Sequence, residues 1–98
     1  MRLTPQQLDK VRSITRASFG EQVRVWLFGS RTSPLAKGGD VDLLVESDAP
    51  TTPQSLKQEL LCKIKLVQAL DLPVDLIVRP RHDTSPITLI ARSQGILL

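Results

Sequence analysis

Two apolar rhythms alternate along the chain. Leu8, Val11, Ile14 and Ala17 recur at helical spacing. They follow Thr4-Pro5, a capping hydroxyl with proline at the first helical position, and Gly20 closes the segment. Val23 to Phe28 is then rich in β-branched and aromatic residues and predicts a strand. Ser30 to about Leu35 predicts a short helical turn, and Pro34 with Gly38-Gly39 keeps the rest of that loop irregular. Val41 to Glu46 predicts a second strand. Ser47 to Pro53 is rich in turn residues, and Thr52-Pro53 repeats the helix-start signal.

The longest helix is predicted from Pro53 to Leu70, with Leu56, Leu60, Ile64 and Val67 as its buried stripe. Cys62, Leu66 and Ala69 fall on another side, so this helix is apolar on more than one face. The second face is either buried deeply or meets a partner chain. Pro73 interrupts the pattern, and Val74 to Val78 predicts a third strand. Ser85-Pro86 opens a last helix with Ile87, Ile90 and Ala91 inward, ended by Gly95. The apolar tail Ile96-Leu97-Leu98 must pack on the core or on another chain.

The predicted order is α-β-(α)-β-α-β-α in a single domain, residues 1–98. This is an α+β (α/β) fold with a three-stranded mixed β-sheet and flanking helices. A crossover helix between the second and third strands implies that they pair in parallel. The short link between the first and second strands favours an antiparallel pair. That topology brings Gly29 and Ser30, Asp40 and Asp42, and Asp75 to one edge of the sheet.

Composition narrows the function classes. Thirteen basic and ten acidic residues leave a net charge of +3, spread along all 98 residues without a cluster. Phe19, Trp26 and Phe28 are the only aromatics, and two of them belong to a predicted core strand, so no stacking platform for single-stranded nucleic acid is expected. Direct nucleic-acid binding is therefore not expected. No apolar run is long enough to span a bilayer, and Met1 to Gln7 has no signal-peptide core. The single Cys62 excludes an internal disulfide and reads as a core filler in a cytoplasmic protein.

The chemistry concentrates around Trp26-Leu27-Phe28-Gly29-Ser30-Arg31 and Asp40-Val41-Asp42. Alternate residues of a strand share a face, so Asp40 and Asp42 are directed to the same side. Adjacent carboxylates repel and raise each other's pKa unless a cation lies between them, and carboxylate oxygens are ligands that Mg²⁺ prefers. Gly29 allows a phosphate to approach the backbone closely, and a helix starting at Ser30 would direct free N–H groups at an anion. Arg31 and Lys37 stand within reach of phosphates or of solvent. Asp75 is a third carboxylate inside an apolar strand; Glu46 and Asp83 are weaker candidates for that part, because neither opens a strand. His82, alone between Arg81 and Asp83, reads as a solvent-facing loop residue.

These runs, Leu27 to Arg31, Lys37 to Val45, Val74 to Val78 and Ala91 to Leu98, resemble the minimal nucleotidyltransferase (MNT) branch of the DNA polymerase β-like nucleotidyltransferase superfamily. Gly39 stands where many minimal members carry a serine. The resemblance implies that Asp40, Asp42 and Asp75 are the catalytic carboxylates and ligands of Mg²⁺, two ions in all. It implies that Gly29, Ser30 and Arg31 bind the phosphates of ATP or another nucleoside triphosphate. It further implies transfer of a nucleoside monophosphate, AMP above all, to an acceptor hydroxyl on a helical HEPN toxin partner, with this chain acting as antitoxin. The alternative is a weakly active or inactive module that neutralises its partner by binding. A homodimer would also explain the apolar tail and the two-sided helix.

Overall fold

The computed structural model describes residues 3–29, 40–50 and 52–98. Its elements are α1 (Pro5–Phe19), β1 (Arg24–Phe28), β2 (Val41–Glu46), α2 (Pro53–Leu70), β3 (Val74–Arg79), α3 (Pro86–Gln94) and β4 (Ile96–Leu97). Local chemistry sets the starts of α1 and α2. Thr4 Oγ1 accepts from the backbone N–H of Gln7 at 3.1 Å, while the Gln7 side chain accepts from the Thr4 N–H at 2.8 Å. Thr52 and Ser55 repeat this reciprocal cap on α2 at 3.0 and 2.7 Å. Such a cap is worth about 1 kcal/mol per helix. The end of α2 is set by Asp71 in the left-handed region, with φ 54°.

The sheet runs β3-β2-β1-β4. β2 pairs with β3 in parallel and with β1 antiparallel, as the connection lengths predicted. The strand count is four rather than three. Ile96 and Leu97 form β4 against β1, and the Leu98 N–H donates to the Val25 carbonyl at 2.8 Å. Two residues are too short a run to announce a strand. The exposed edge of β1 supplies the pairing that makes them one.

β2 is central and covered on both faces, so Val41, Leu43, Leu44 and Val45 are all buried and read as a continuous apolar run. One core lies beneath α1 and α2, where Val11, Cys62, Leu66 and Leu70 meet Val25, Leu27, Val41, Leu43, Val45 and Val74. A smaller core beneath α3 holds Phe28, Leu44 and Ala91, with Trp26 and Ile77 packed against it. Cys62 is a core filler as expected, and Trp26 is half-buried in the second core.

Three helix faces differ from the periodicity reading. In α2 the inward stripe is Cys62, Leu66 and Leu70, whereas Leu56 and Leu60 are 54% and 58% exposed and Ile64 is also exposed. A helix with two apolar stripes takes its phase from what it lies on. α1 packs against α2, and Cys62 and Leu66 share a core cluster with Val11 of α1. In α3, Thr88 and Ala91 face inward while Ile87 and Ile90 are exposed. The small Ala91 lets α3 lie close on the sheet, and the Thr88 hydroxyl is drawn in by Asp83, to which it donates at 2.6 Å. In α1, Thr15 takes the inward place expected of Ala17, with its hydroxyl donating to the Val11 carbonyl at 2.7 Å. Among the described residues no helix is long and apolar enough to cross a membrane.

Candidate active site

The register of the sheet assembles the acid edge. Phe28, the last residue of β1, lies opposite Asp42 of β2, and Asp42 lies beside Asp75 of β3. Asp40 stands just before β2, whose first N–H, from Val41, donates to the Pro73 carbonyl at 2.8 Å. Carboxylates 33 residues apart in the chain thus become neighbours because parallel strands start together at this edge. Asp42 is half-buried, and Asp40 and Asp75 are exposed. The exposure of Asp75 removes the burial cost that its apolar strand suggested.

Gly29 follows directly after β1 with φ +76°, a conformation that other residues adopt only at a cost. A Cβ built on Gly29 would lie 2.1 Å from Asp42 Oδ2. Glycine is therefore required twice at this position, by its backbone angle and by the carboxylate packed on its Cα. Burial, then the charges of Asp75 and Asp40, and a hydrogen bond with Asp75 push the Asp42 carboxyl above its ordinary pKa. Among the described residues, no three acidic, histidine or cysteine side chains close around one point as a finished metal cage. The donors nonetheless suit a hard cation. They are carboxylate oxygens, mutually repelling, gathered at one edge of the sheet. Ser30, Arg31 and Lys37, and the helical turn expected there, lie outside the described residues.

The other acids are already engaged. Glu46 is only 2% exposed. It accepts from Trp26 Nε1 and pairs with Arg92 at 3.3 Å. Asp83 accepts from the Ser85 and Thr88 hydroxyls, which hold its carboxyl below the ordinary value. Neither is available as a third ligand at the acid edge. His82 is exposed in the loop after β3, as expected. The Glu46–Trp26–Arg92 network was not anticipated. Its signal is parity, since Glu46 shares the strand face of Asp42 and Leu44 and would be buried there unpaired.

A cavity of about 360 Å³ opens at the opposite end of the sheet, lined by Phe19, Gln22, Glu46, Asp48 and Arg81 among others. Two of its acids are paired. Asp48 accepts from the Arg81 N–H at 2.9 Å, and Glu46 is held as described. This cavity lies at one end of the sheet and the acid cluster at the other. The chemistry decides, because an acid cluster raises the free energy of a fold unless something binds it.

Residues 8–92 match the family model of a nucleotidyltransferase domain. No curated protein sequence matches the chain. The fold is similar to a chain in the crystal structure of the MntA–HepT toxin–antitoxin, with a TM-score of 0.71 and 20% identity, covering 96% of this chain and 70% of that one. It is also similar to a chain in a structure of the tri-AMPylated Shewanella oneidensis HEPN toxin in complex with MNT antitoxin. There the TM-score is 0.69 and the identity 24%, over 94% of this chain and 70% of that one.

Proposed function

Since the chain belongs to the nucleotidyltransferase domain family, we propose that it transfers a nucleoside monophosphate, AMP from ATP, to a hydroxyl on a HEPN-type helical partner and so acts as its antitoxin. One observation carries this reading: the Asp42 carboxyl is packed on the bare Cα of Gly29 and flanked by Asp40 and Asp75.

Asp40, Asp42 and Asp75 would hold Mg²⁺, which when bound neutralises phosphate charge and polarises the phosphorus under attack. Gly29, Ser30 and Arg31 would take the phosphates, the glycine by close backbone approach and the other two by hydroxyl and guanidinium donors. In the reaction the acceptor oxygen forms a bond to the α-phosphorus. The bond from that phosphorus to the β-phosphate bridging oxygen breaks, and pyrophosphate leaves with the electron pair. The acceptor proton passes to a carboxylate, for which the exposed Asp75 is the accessible group. Such transfer asks mainly for positioning and charge neutralisation, which this small edge could supply. The similar Shewanella structure contains an AMPylated toxin, which supports the choice of nucleotide and acceptor class.

The exposed apolar face of α2 favours a second reading, neutralisation by contact. Labelled ATP, Mg²⁺ and the protein from the adjacent reading frame separate the two. Label on that protein, abolished by Asp40→Asn, is the expected result. Neutralisation that survives Asp40→Asn without any labelling would replace catalysis by masking.

A further inference from the structure

β3 is an outer strand of the sheet, paired only with β2 among the described residues. It runs from Val74 to Arg79 without proline or glycine. Such a strand leaves a row of backbone groups unpaired, a template for another strand. Which groups point outward follows from the ladder. The carbonyls of Pro73 and Arg79 accept from the Val41 and Ser47 N–H groups, at 2.8 and 2.9 Å, on the β2 side. By alternation, Asp75 and Ile77 also direct their backbone groups at β2, and Leu76 and Val78 direct theirs away from it. Consistent with this, the Val78 carbonyl accepts from the Arg79 side chain at 2.9 Å.

The charges on this edge are complementary to themselves. Asp75 and Arg79 share one face of the sheet, and both are exposed. Neither forms an ion pair among the described residues. A second β3 laid antiparallel about a two-fold axis at Ile77 sets Leu76 against the second copy's Val78, and the reverse. These are the outward-pointing residues, so each such pair exchanges two backbone hydrogen bonds. The same register sets Asp75 directly against the second copy's Arg79, twice by symmetry. That pair occupies non-hydrogen-bonded positions, where side chains approach most closely. The neighbouring register, centred on Leu76, sets Asp75 against Ile77 instead, so charge selects the one centred on Ile77. α2 fits the same axis. Leu60, Glu59 and Lys63 line a groove with Leu76. At about 100° per residue, Glu59 and Lys63 lie on the same side of Leu60. An antiparallel second α2 therefore sets its Lys63 near Glu59.

We infer that β3 is the interface between two copies of this chain, joined edge to edge into one continuous sheet, with the second copy's Arg79 paired to Asp75. The guanidinium reaches Asp75 from the side opposite Asp42. Each acid edge thus gains a cation that its own chain does not supply. This goes beyond the transfer reading and does not depend on it.

Sedimentation of the chain alone over a range of concentrations tests the interface. Wild type sediments as a dimer. Asp75→Arg and Arg79→Asp each set like charges against one another and weaken the dimer by roughly tenfold. An equimolar mixture of the two variants restores it, because opposite charges then meet at both positions. In wild type, hydrogen exchange at the Leu76 and Val78 amides slows between dilute and concentrated samples, a readout that needs no variant. Wild type that stays monomeric overturns the inference. So does a dimer that both variants keep, or a mixture as monomeric as its parts. A dimer whose Leu76 and Val78 amides exchange as they do on dilution places the interface elsewhere and overturns it as well. No readout involves ATP or an acceptor, so failure here leaves the transfer reading standing.

Discussion

Asp42 and Glu46 lie four residues apart on β2 and point to the same face of one sheet, yet their surroundings are opposite. Glu46 is buried deeper and is fully partnered, by the indole N–H of Trp26 and by Arg92. Arg92 also donates to the carbonyls of Asp83 and Arg81 at 2.8 and 2.6 Å, tying α3 and the preceding loop to the strand. Asp42 is less buried, and its pKa is raised first by that burial and then by the charges of two further carboxylates. A fold gains nothing from such an arrangement. At the Glu46 end, charge is neutralised inside the molecule and holds it together. At the Asp42 end, under the proposed function, neutralisation falls to a bound cation. That contrast separates a structural acid from a functional one better than burial does.

Breaking the structural end has the largest expected effect. Arg92→Ala leaves Glu46 buried beside an indole N–H alone, and should cost about 3 kcal/mol or more of stability. Thermal or urea unfolding measures this. Transfer activity per folded molecule should persist, and its loss at full stability would mean that the two ends are not independent.

Asp42→Asn should do the reverse. Transfer falls by roughly 10²–10³-fold, the scale for losing one charge-stabilising group at a reacting centre. Its effect on stability has a definite sign. A carboxyl whose folded pKa is raised contributes stability only while protonated, and that contribution is lost as pH rises through the folded value. At neutral pH without divalent metal, Asp42 is therefore a destabilising group. The Asn variant should melt higher than wild type, and the difference should vanish at acid pH. A variant that melts lower at neutral pH would place Asp42 with Glu46 among the structural acids.

Gly29→Ala tests the contact between turn and carboxylate. Its Cβ would overlap Asp42 Oδ2 and adopt a strained φ. The expected cost is about 1–2 kcal/mol of stability, and transfer falls because Asp42 is displaced. Calorimetry and turnover measured on the same sample check both.

The smallest effect belongs to Asp83, an exposed-loop acid held below its ordinary pKa by Ser85 and then Thr88. Its contribution to stability is present above the ordinary carboxylate value and is lost as pH falls through the lowered one. Ser85→Ala should therefore destabilise modestly at neutral pH and make no difference in strong acid. A pH series of unfolding midpoints decides it.

Much of this molecule was legible locally. Thr4-Pro5 and Thr52-Pro53 mark helix starts that the capping hydrogen bonds bear out. β2 occupies the residues expected of it, and the pairing directions follow from the lengths of the links. At the acid edge, Gly29, Asp40, Asp42 and Asp75 were nameable from their residue types and their places at strand ends. The phase of α2 was not legible, because its two apolar stripes obey the same periodicity. β4 was not, because two residues become a strand only beside the open edge of β1.

What the residues settle by themselves is chemistry within a few positions of each other: caps, alternation, breakers and the acids at the mouths of strands. What only the folded chain decides is which stripe of α2 is core and which of its acids find a cation. Both depend on neighbours dozens of residues away, since burial and charge pairing are properties of the surroundings and not of the side chain.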